Sequence, residues 1–248
     1  MSNFTDPKKE ISNLALGEDN DELNRSGSDL GMNIKRFPLK IGFLGDNYVG
    51  KTCIISRFVN NTFDKEKPCT VSAYFESKKL KIDPFNEADF KIWDTAGSEK
   101  YRSMAKNYLR DSNGIVFVFD LSNKTSFDNL NLWVDEMKDI VDDKAVRILA
   151  GNKCDLSDIK VSREEINKYA DEHNMKYLEV SAKEGINIES LFEILATNCI
   201  RNAKELLKKR EEEGLNKLSN LNPNLEPKKI QLENEKKEIK TENSKKCC

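Results

Sequence analysis

The sequence predicts an α/β fold, a six-stranded and mostly parallel sheet flanked by helices, with extensions at both ends that bury little. Three observations predict it. From Pro38 onward, apolar runs of strand length alternate with amphipathic helical patterns. A glycine-bracketed turn, Gly45-Asp46-Asn47-Tyr48-Val49-Gly50-Lys51-Thr52, falls where the first apolar run gives way to the first helical pattern. Both ends, 1–37 and 210–248, lack either period. Composition agrees: 38% hydrophobic and 34% charged residues is polar for 248 residues folded throughout.

The first extension, 1–37, is poor in aromatics and carries runs such as Gly17-Glu18-Asp19-Asn20-Asp21-Glu22. Such a segment cannot repay the entropy of ordering, so it reads as a disordered acidic arm. Ile11, Leu14 and Leu16 offer a short docking helix as the alternative. Strands are expected at 39–44, 74–82, 90–93, 115–120, 145–150 and 177–180. Asp83-Pro84-Phe85-Asn86-Glu87 reads as the turn of an antiparallel hairpin between the second and third. Helices are expected at 51–60, 126–141, 163–173 and 188–209. Ser162-Arg163-Glu164-Glu165 has capping-box form at the start of the third. In the last, Ile188, Leu191, Phe192, Leu195, Cys199, Ile200, Ala203 and Leu206 recur at helical spacing, a stripe that faces a core. Trp133 sits on an amphipathic helix, Trp93 in or beside the core, and His173 at the surface. Beyond Lys209 the chain turns to Lys, Glu and Asn and reads as a flexible tail. The folded domain is therefore expected over 38–209.

Charge and cysteines exclude some functions. A net charge of −2 gives no reason to expect nucleic acid. Of the six cysteines, at 53, 69, 154, 199, 247 and 248, four stand singly and no pair has metal-ligand spacing. With no signal peptide and no long apolar run, the chain reads as a reduced cytosolic protein.

Four clusters, each after an expected strand, carry the chemistry. In Gly45–Thr52 the glycines let backbone N–H groups curl toward phosphate oxygens, and the helix start adds free donors and a positive dipole end. Lys51 supplies a mobile charge for the outer phosphates and Thr52 a hydroxyl for Mg2+. Trp93-Asp94-Thr95-Ala96-Gly97 offers a carboxylate at Asp94 for Mg2+ and a backbone N–H at Gly97 for a terminal phosphate. Asn152-Lys153-Cys154-Asp155 places a carboxylate where it accepts two hydrogens from guanine, a pair adenine lacks; the stem of Lys153 covers the ring. Ser181-Ala182-Lys183 brings backbone N–H groups toward the guanine carbonyl. Each cluster alone is also an ordinary turn. Together, in this order, they are not coincidence.

The set resembles the Ras-superfamily small GTPases, and within them the Rab family. Phe90-Lys91-Ile92-Trp93, Lys100-Tyr101-Arg102-Ser103-Met104, Tyr108-Leu109-Arg110 and Val118-Phe119-Asp120-Leu121-Ser122-Asn123 are Rab-like, as is the terminal Cys247-Cys248. Resemblance covers about 40–209 and implies a phosphate-loop G domain that binds GTP and GDP with Mg2+ and hydrolyses GTP. It assigns the nucleotide to Asn47, Tyr48, Val49, Gly50, Lys51, Thr52, Cys53, Phe63, Thr70, Gly97, Asn152, Lys153, Asp155, Ser181, Ala182 and Lys183. The metal falls to Thr52, Thr70 and Asp94, and catalysis to Lys51, Thr70, Gly97 and Ser98. Thr70 resembles the switch I threonine that meets Mg2+ only beside a terminal phosphate, Phe63 the aromatic against the guanine, and 94–109 switch II. The implied partners are an exchange factor, a GTPase-activating protein, effectors through both switches, a prenylation escort and a GDP-dissociation inhibitor. The implied state is a monomer on the cytoplasmic face of intracellular membranes, with a cytosolic pool, serving vesicle traffic.

The chain departs from the family pattern in four places. Ser98 stands where a glutamine normally orients the attacking water; its hydroxyl falls roughly 2–3 Å short, which predicts slow intrinsic hydrolysis. Ser72-Ala73-Tyr74-Phe75 replaces the usual glycine and the acidic residue before Phe. Tyr48 is bulky for a phosphate loop, and either covers the nucleotide or faces solvent. The arm before the first strand is long. At the other end, Cys247 and Cys248 read as a double geranylgeranyl site: two chains anchor stably where one does not. As random coil, 210–247 would span roughly 35 Å. A non-cycling GTP-bound recruitment module is the first rival reading. A nucleotide kinase is the second, but no insertion supplies a lid and it leaves Asn152-Lys153-Cys154-Asp155 unexplained.

Overall fold

The computed structural model describes residues 34–66, 70, 73–97, 102–142 and 144–221. The chain divides into two units, Met1–Ile200 and Arg201–Cys248. The first contains six strands: β1 (Lys35–Leu44), β2 (Tyr74–Lys81), β3 (Asn86–Asp94), β4 (Gly114–Asp120), β5 (Val146–Asn152) and β6 (Lys176–Glu179). Their helices are α1 (Lys51–Asn60), α2 (Arg102–Leu109), α3 (Lys124–Asp128), α4 (Leu130–Met137) and α5 (Arg163–Glu172). A sixth helix, α6 (Ile188–Leu221), runs from the first unit into the second.

The sheet order is β2-β3-β1-β4-β5-β6. β2 pairs antiparallel with β3 and every other pair is parallel, as expected from the hairpin turn and the apolar runs. β1 lies between β3 and β4, so the chain leaves it first to one side and then to the other. Ligands collect at such a switch point, beyond the carboxyl ends of the strands. β4 is buried at every position, the state of a strand covered on both faces.

Each face has its own core. On one, Ile41, Phe43 and Phe90 of the sheet meet Ile54 and Phe58 of α1 and Leu191, Phe192 and Leu195 of α6. Phe58 stacks on Phe192 at 3.6 Å between centroids, with Phe90 edge-on to both. On the other, Phe117, Phe119 and Leu149 meet Trp133 and Met137 of α4 and Ile166 and Tyr169 of α5. The stripe expected on the last helix is buried from Ile188 to Ile200.

Several expected bounds move. β1 begins at Lys35, so residues 35–37 of the expected arm are strand: they pair with Asn86, Glu87 and Ala88, and Phe37 is buried. Asn86 and Glu87 accordingly belong to β3 and not to the turn. Asp83 closes that turn, its Oδ1 accepting from the N–H groups of Phe85 and Asn86 at 2.8 Å each. The helix expected over 126–141 is two, α3 and α4, joined at Asn129; α3 is capped by Asn123, whose side chain accepts from Thr125 N–H. The capping box of Ser162 and Glu165 is present. α2 was not expected as a helix at all. The last helix continues past Lys209 to Leu221, so coil in the tail starts no earlier than there. His173 caps α5 half-buried, its ring 4.3 Å from that of Tyr169, where a surface position was expected. The expected arm over 1–33, Ser98, Cys247 and Cys248 lie outside the described residues.

Candidate functional site

A cavity of about 500 Å³ opens beyond the carboxyl ends of the strands. The Gly45–Thr52 turn forms its floor. Gly50 caps α1 at φ 97°, a conformation glycine supplies without strain, and its carbonyl accepts the first helical bond from Ile54 at 2.9 Å. A Cβ there would lie 2.3 Å from Asn152 Nδ2. Tyr48 also has positive φ, 63°, and is 76% exposed at the cavity's edge. Lys51 is buried, and its Nζ donates to the carbonyls of Gly45 and Asp46 at 2.7 and 2.8 Å. These bonds hold a positive charge against the turn.

Thr52, Thr70 and Asp94 converge from α1, a loop and the end of β3. Thr52 Oγ1 donates to Asp94 Oδ2 at 2.6 Å and lies 2.9 Å from Thr70 Oγ1. Thr70 Oγ1 also lies 3.4 Å from Asp94 Oδ2, so its one hydrogen has both Thr52 and Asp94 as acceptors within reach. Asp94 Oδ1 is buried with no hydrogen-bond partner. Burial holds the Asp94 carboxyl above the usual carboxylate range, opposed by the Thr52 bond and the Lys51 charge. Two hydroxyls and an orphaned carboxylate oxygen fit Mg2+, which takes hard oxygen ligands and keeps several waters. Among the described residues no group of three or more His, Cys, Asp or Glu could hold an ion.

The far wall is built from the loops after β5 and β6. Asn152 ties it to the floor, with Nδ2 donating to Val49 O at 2.7 Å and Oδ1 accepting from Ala182 N–H at 3.2 Å. Lys153 Nζ meets Asp120 Oδ2 at 2.6 Å, which lays its stem along the cavity. Asp155 Oδ1 accepts from Ser181 Oγ at 2.6 Å, and Lys183 Nζ lies 3.8 Å from Oδ2. Phe63, half-buried, also lines the cavity.

The structure thus brings almost all expected nucleotide residues to one cavity. Val49 and Ser181 are buried beneath its surface and act through Asn152 and Asp155. Of the three backbone N–H groups expected near the guanine carbonyl, that of Ala182 donates to Asn152 Oδ1 in this structure. Sequence reasoning missed several contributors. Asp120 ends β4 at the same sheet edge, a position that could have drawn attention to it. Arg57 of α1 donates from Nε to Ala182 O at 2.9 Å and from Nη2 to Lys183 O at 2.8 Å, a contact no spacing announces. Asp64, Lys65 and Leu156 also line the cavity. Beside it, Phe75 leans on Trp93 at 5.3 Å, and Trp93 on Tyr108 at 5.2 Å, with Phe75 48% exposed.

The sequence profile of the Ras family matches residues 40–201. Ras-related protein Rab-39A of Homo sapiens is 39% identical over 181 residues, 71% of this chain and 82% of the relative. This chain is a Rab small GTPase of the Ras superfamily. Ras-related protein RABA4d of Arabidopsis thaliana is 35% identical over 66% of the chain and 74% of its own length. For Ras-related protein Rab-18 of Lymnaea stagnalis the figures are 35%, 66% and 81%. The family binds GTP and GDP, generally with Mg2+, and hydrolyses GTP. No helix among the described residues of this GTPase is long and apolar enough to cross a membrane.

Proposed function

We propose that this GTPase is a GTP/GDP switch anchored to intracellular membranes by geranylgeranyl groups on Cys247 and Cys248, and that it regulates vesicle traffic. The observation that carries the nucleotide part is that Thr52 and Thr70, which line the cavity beside Lys51, converge on the buried Asp94, while Asp155 lines the same cavity. Asp155 accepts from the guanine edge, held to its task by Ser181. Lys153 covers one ring face and Phe63 the other. Backbone N–H groups of residues 47–53 and the Lys51 ammonium hold the phosphates and stabilise charge that develops on the terminal one. Mg2+, when bound, neutralises charge on the outer phosphate oxygens, and Thr52, Thr70 and Asp94 are the residues that hold it.

Thr70 and Gly97 sense the terminal phosphate, so that partner binding depends on whether GTP or GDP is held. The aromatic row Phe75, Trp93 and Tyr108 follows directly and suits an effector face. Exchange factor, activating protein, prenylation escort and GDP-dissociation inhibitor complete the cycle. The folded domain, which begins with β1 at Lys35, then carries the switch, and the tail joins it to the bilayer. Ser98 makes intrinsic hydrolysis slow and favours one second reading, a chain that stays GTP-bound as a recruitment platform.

The test is retention of a fluorescent guanine nucleotide by the purified chain. GTP and GDP are expected to displace it, ATP not, and chelation of Mg2+ to speed its release. A chain that retains no guanine nucleotide with Mg2+ present overturns the reading. GTP turnover that stays absent with Rab-directed activating proteins would favour the platform, and deletion of Cys247-Cys248 that leaves the protein on membranes would remove the lipid anchor.

A further inference from the structure

Asp46 is the second residue of the phosphate loop, and no role above uses its side chain. The carboxylate points out of the loop toward the helical layer. Its Oδ2 accepts from Asn129 Nδ2 at 2.7 Å and its Oδ1 from Trp133 Nε1 at 2.9 Å. These partners stand 83 and 87 residues further along the chain, at the α3–α4 junction and on α4. Trp133 is fully buried, so its indole N–H requires an acceptor, and the acceptor is a charged group on the phosphate loop. Hydrogen bonds to a charged acceptor are roughly twice as strong as neutral ones.

The backbone of the same residue touches the rest of the site. The Asp46 carbonyl accepts from Lys51 Nζ at 2.8 Å. A Cβ built on Gly97 would lie 2.5 Å from the Asp46 carbonyl carbon and oxygen, so Gly97 rests directly on this peptide. Two residues on, Tyr48 holds φ 63°, a conformation that costs a non-glycine residue energy. Local strain of that kind persists where surrounding contacts over-determine it. The Asp46 carboxylate supplies such contacts from a helix outside the site. α4 is also tied to α2, through Glu136 and Lys106 at 2.6 Å.

We infer that Asn129 and Trp133 are positioning residues for the phosphate loop: by fixing the Asp46 carboxylate they set the backbone on which Lys51 and Gly97 rest, and so control how long a guanine nucleotide is retained. The inference rests on the guanine-nucleotide reading above and adds that α4 governs it. Displacing α4 by a ligand on its outer face would then loosen the nucleotide without touching the cavity.

The test measures release of a fluorescent GDP analogue from the full chain with Mg2+ and excess GDP. Trp133→Phe keeps a buried ring and removes the N–H; Asn129→Ala removes the other donor. Each is expected to release nucleotide about tenfold faster than wild type, the factor that one hydrogen bond to a charged group carries when expressed at the site. Met137→Ala is the control: this side chain is only 3% exposed on the same helix, so the variant melts lower and releases at the wild-type rate. Wild-type release from both Trp133→Phe and Asn129→Ala overturns the inference. Equal acceleration in Met137→Ala overturns it too, since the effect would then be loss of packing. Should Trp133→Phe not fold, Asn129→Ala and Asp46→Asn decide by the same criterion. A wild-type chain that retains no guanine nucleotide overturns the functional reading itself.

Discussion

Replacing Asn152 by alanine tests whether one buried amide holds the two halves of the nucleotide cavity together. Asn152 is 2% exposed, and the groups it joins, the Val49 carbonyl and the Ala182 N–H, belong to residues 1% and 2% exposed. Alanine leaves both without their partners at 2.7 and 3.2 Å. Each bond is worth about 1–1.5 kcal/mol net. Two give about 2–3 kcal/mol, or ~30- to ~150-fold in an equilibrium. The loss is expected at the nucleotide, because Gly50 and Lys183, next in chain to the two freed groups, both line the cavity. The assay is equilibrium binding and release of a fluorescent GDP analogue, with circular dichroism to establish that the variant is folded. An Asn152→Ala protein that is folded and binds within threefold of wild type refutes the reasoning, because the link would then contribute nothing to the site.

Three further perturbations have defined signs. Burial raises the Asp94 carboxyl, so its contribution to stability is complete below the ordinary carboxylate range and is lost as pH rises through the raised value; near neutral pH, Asp94→Asn should melt above wild type in chelator and below it with Mg2+ and GTP, and the same order in both conditions would refute this. In Gly97→Ala the new Cβ would meet Asn47 N and the Asp46 carbonyl at 2.5 Å, backbone that cannot turn aside; overpacking costs about 1–3 kcal/mol, so single-turnover GTP hydrolysis should fall at least fivefold. Ser98→Gln should raise intrinsic hydrolysis about tenfold or more by reaching the attacking water; an unchanged rate would show that Ser98 is not what limits it.

The layout of the candidate site was legible in the sequence, because each cluster expected there is a short run of fixed residue types that follows a strand. Gly50 adopts positive φ, Thr52 meets Asp94, and Asp155 follows β5; such local features act over a few residues and leave a pattern. Alternation of apolar runs with helical stripes likewise gave the parallel sheet, since burial on one face or two sets the period of each element, and the turn at Asp83-Pro84 gave its antiparallel edge.

What the sequence left open depended on groups far apart in the chain. Asp46 finds Trp133 and Asn129, Arg57 finds the loop after β6, and Lys153 finds Asp120 only because the strand order places those ends side by side. Lys35 to Phe37 look like part of a polar arm until β3 offers them a ladder, and Lys209 looks like the end of a helix whose backbone bonds continue to Leu221. A hydrogen bond between distant residues has no sequence period, so it becomes visible only when the folded chain brings donor and acceptor within 3 Å of each other.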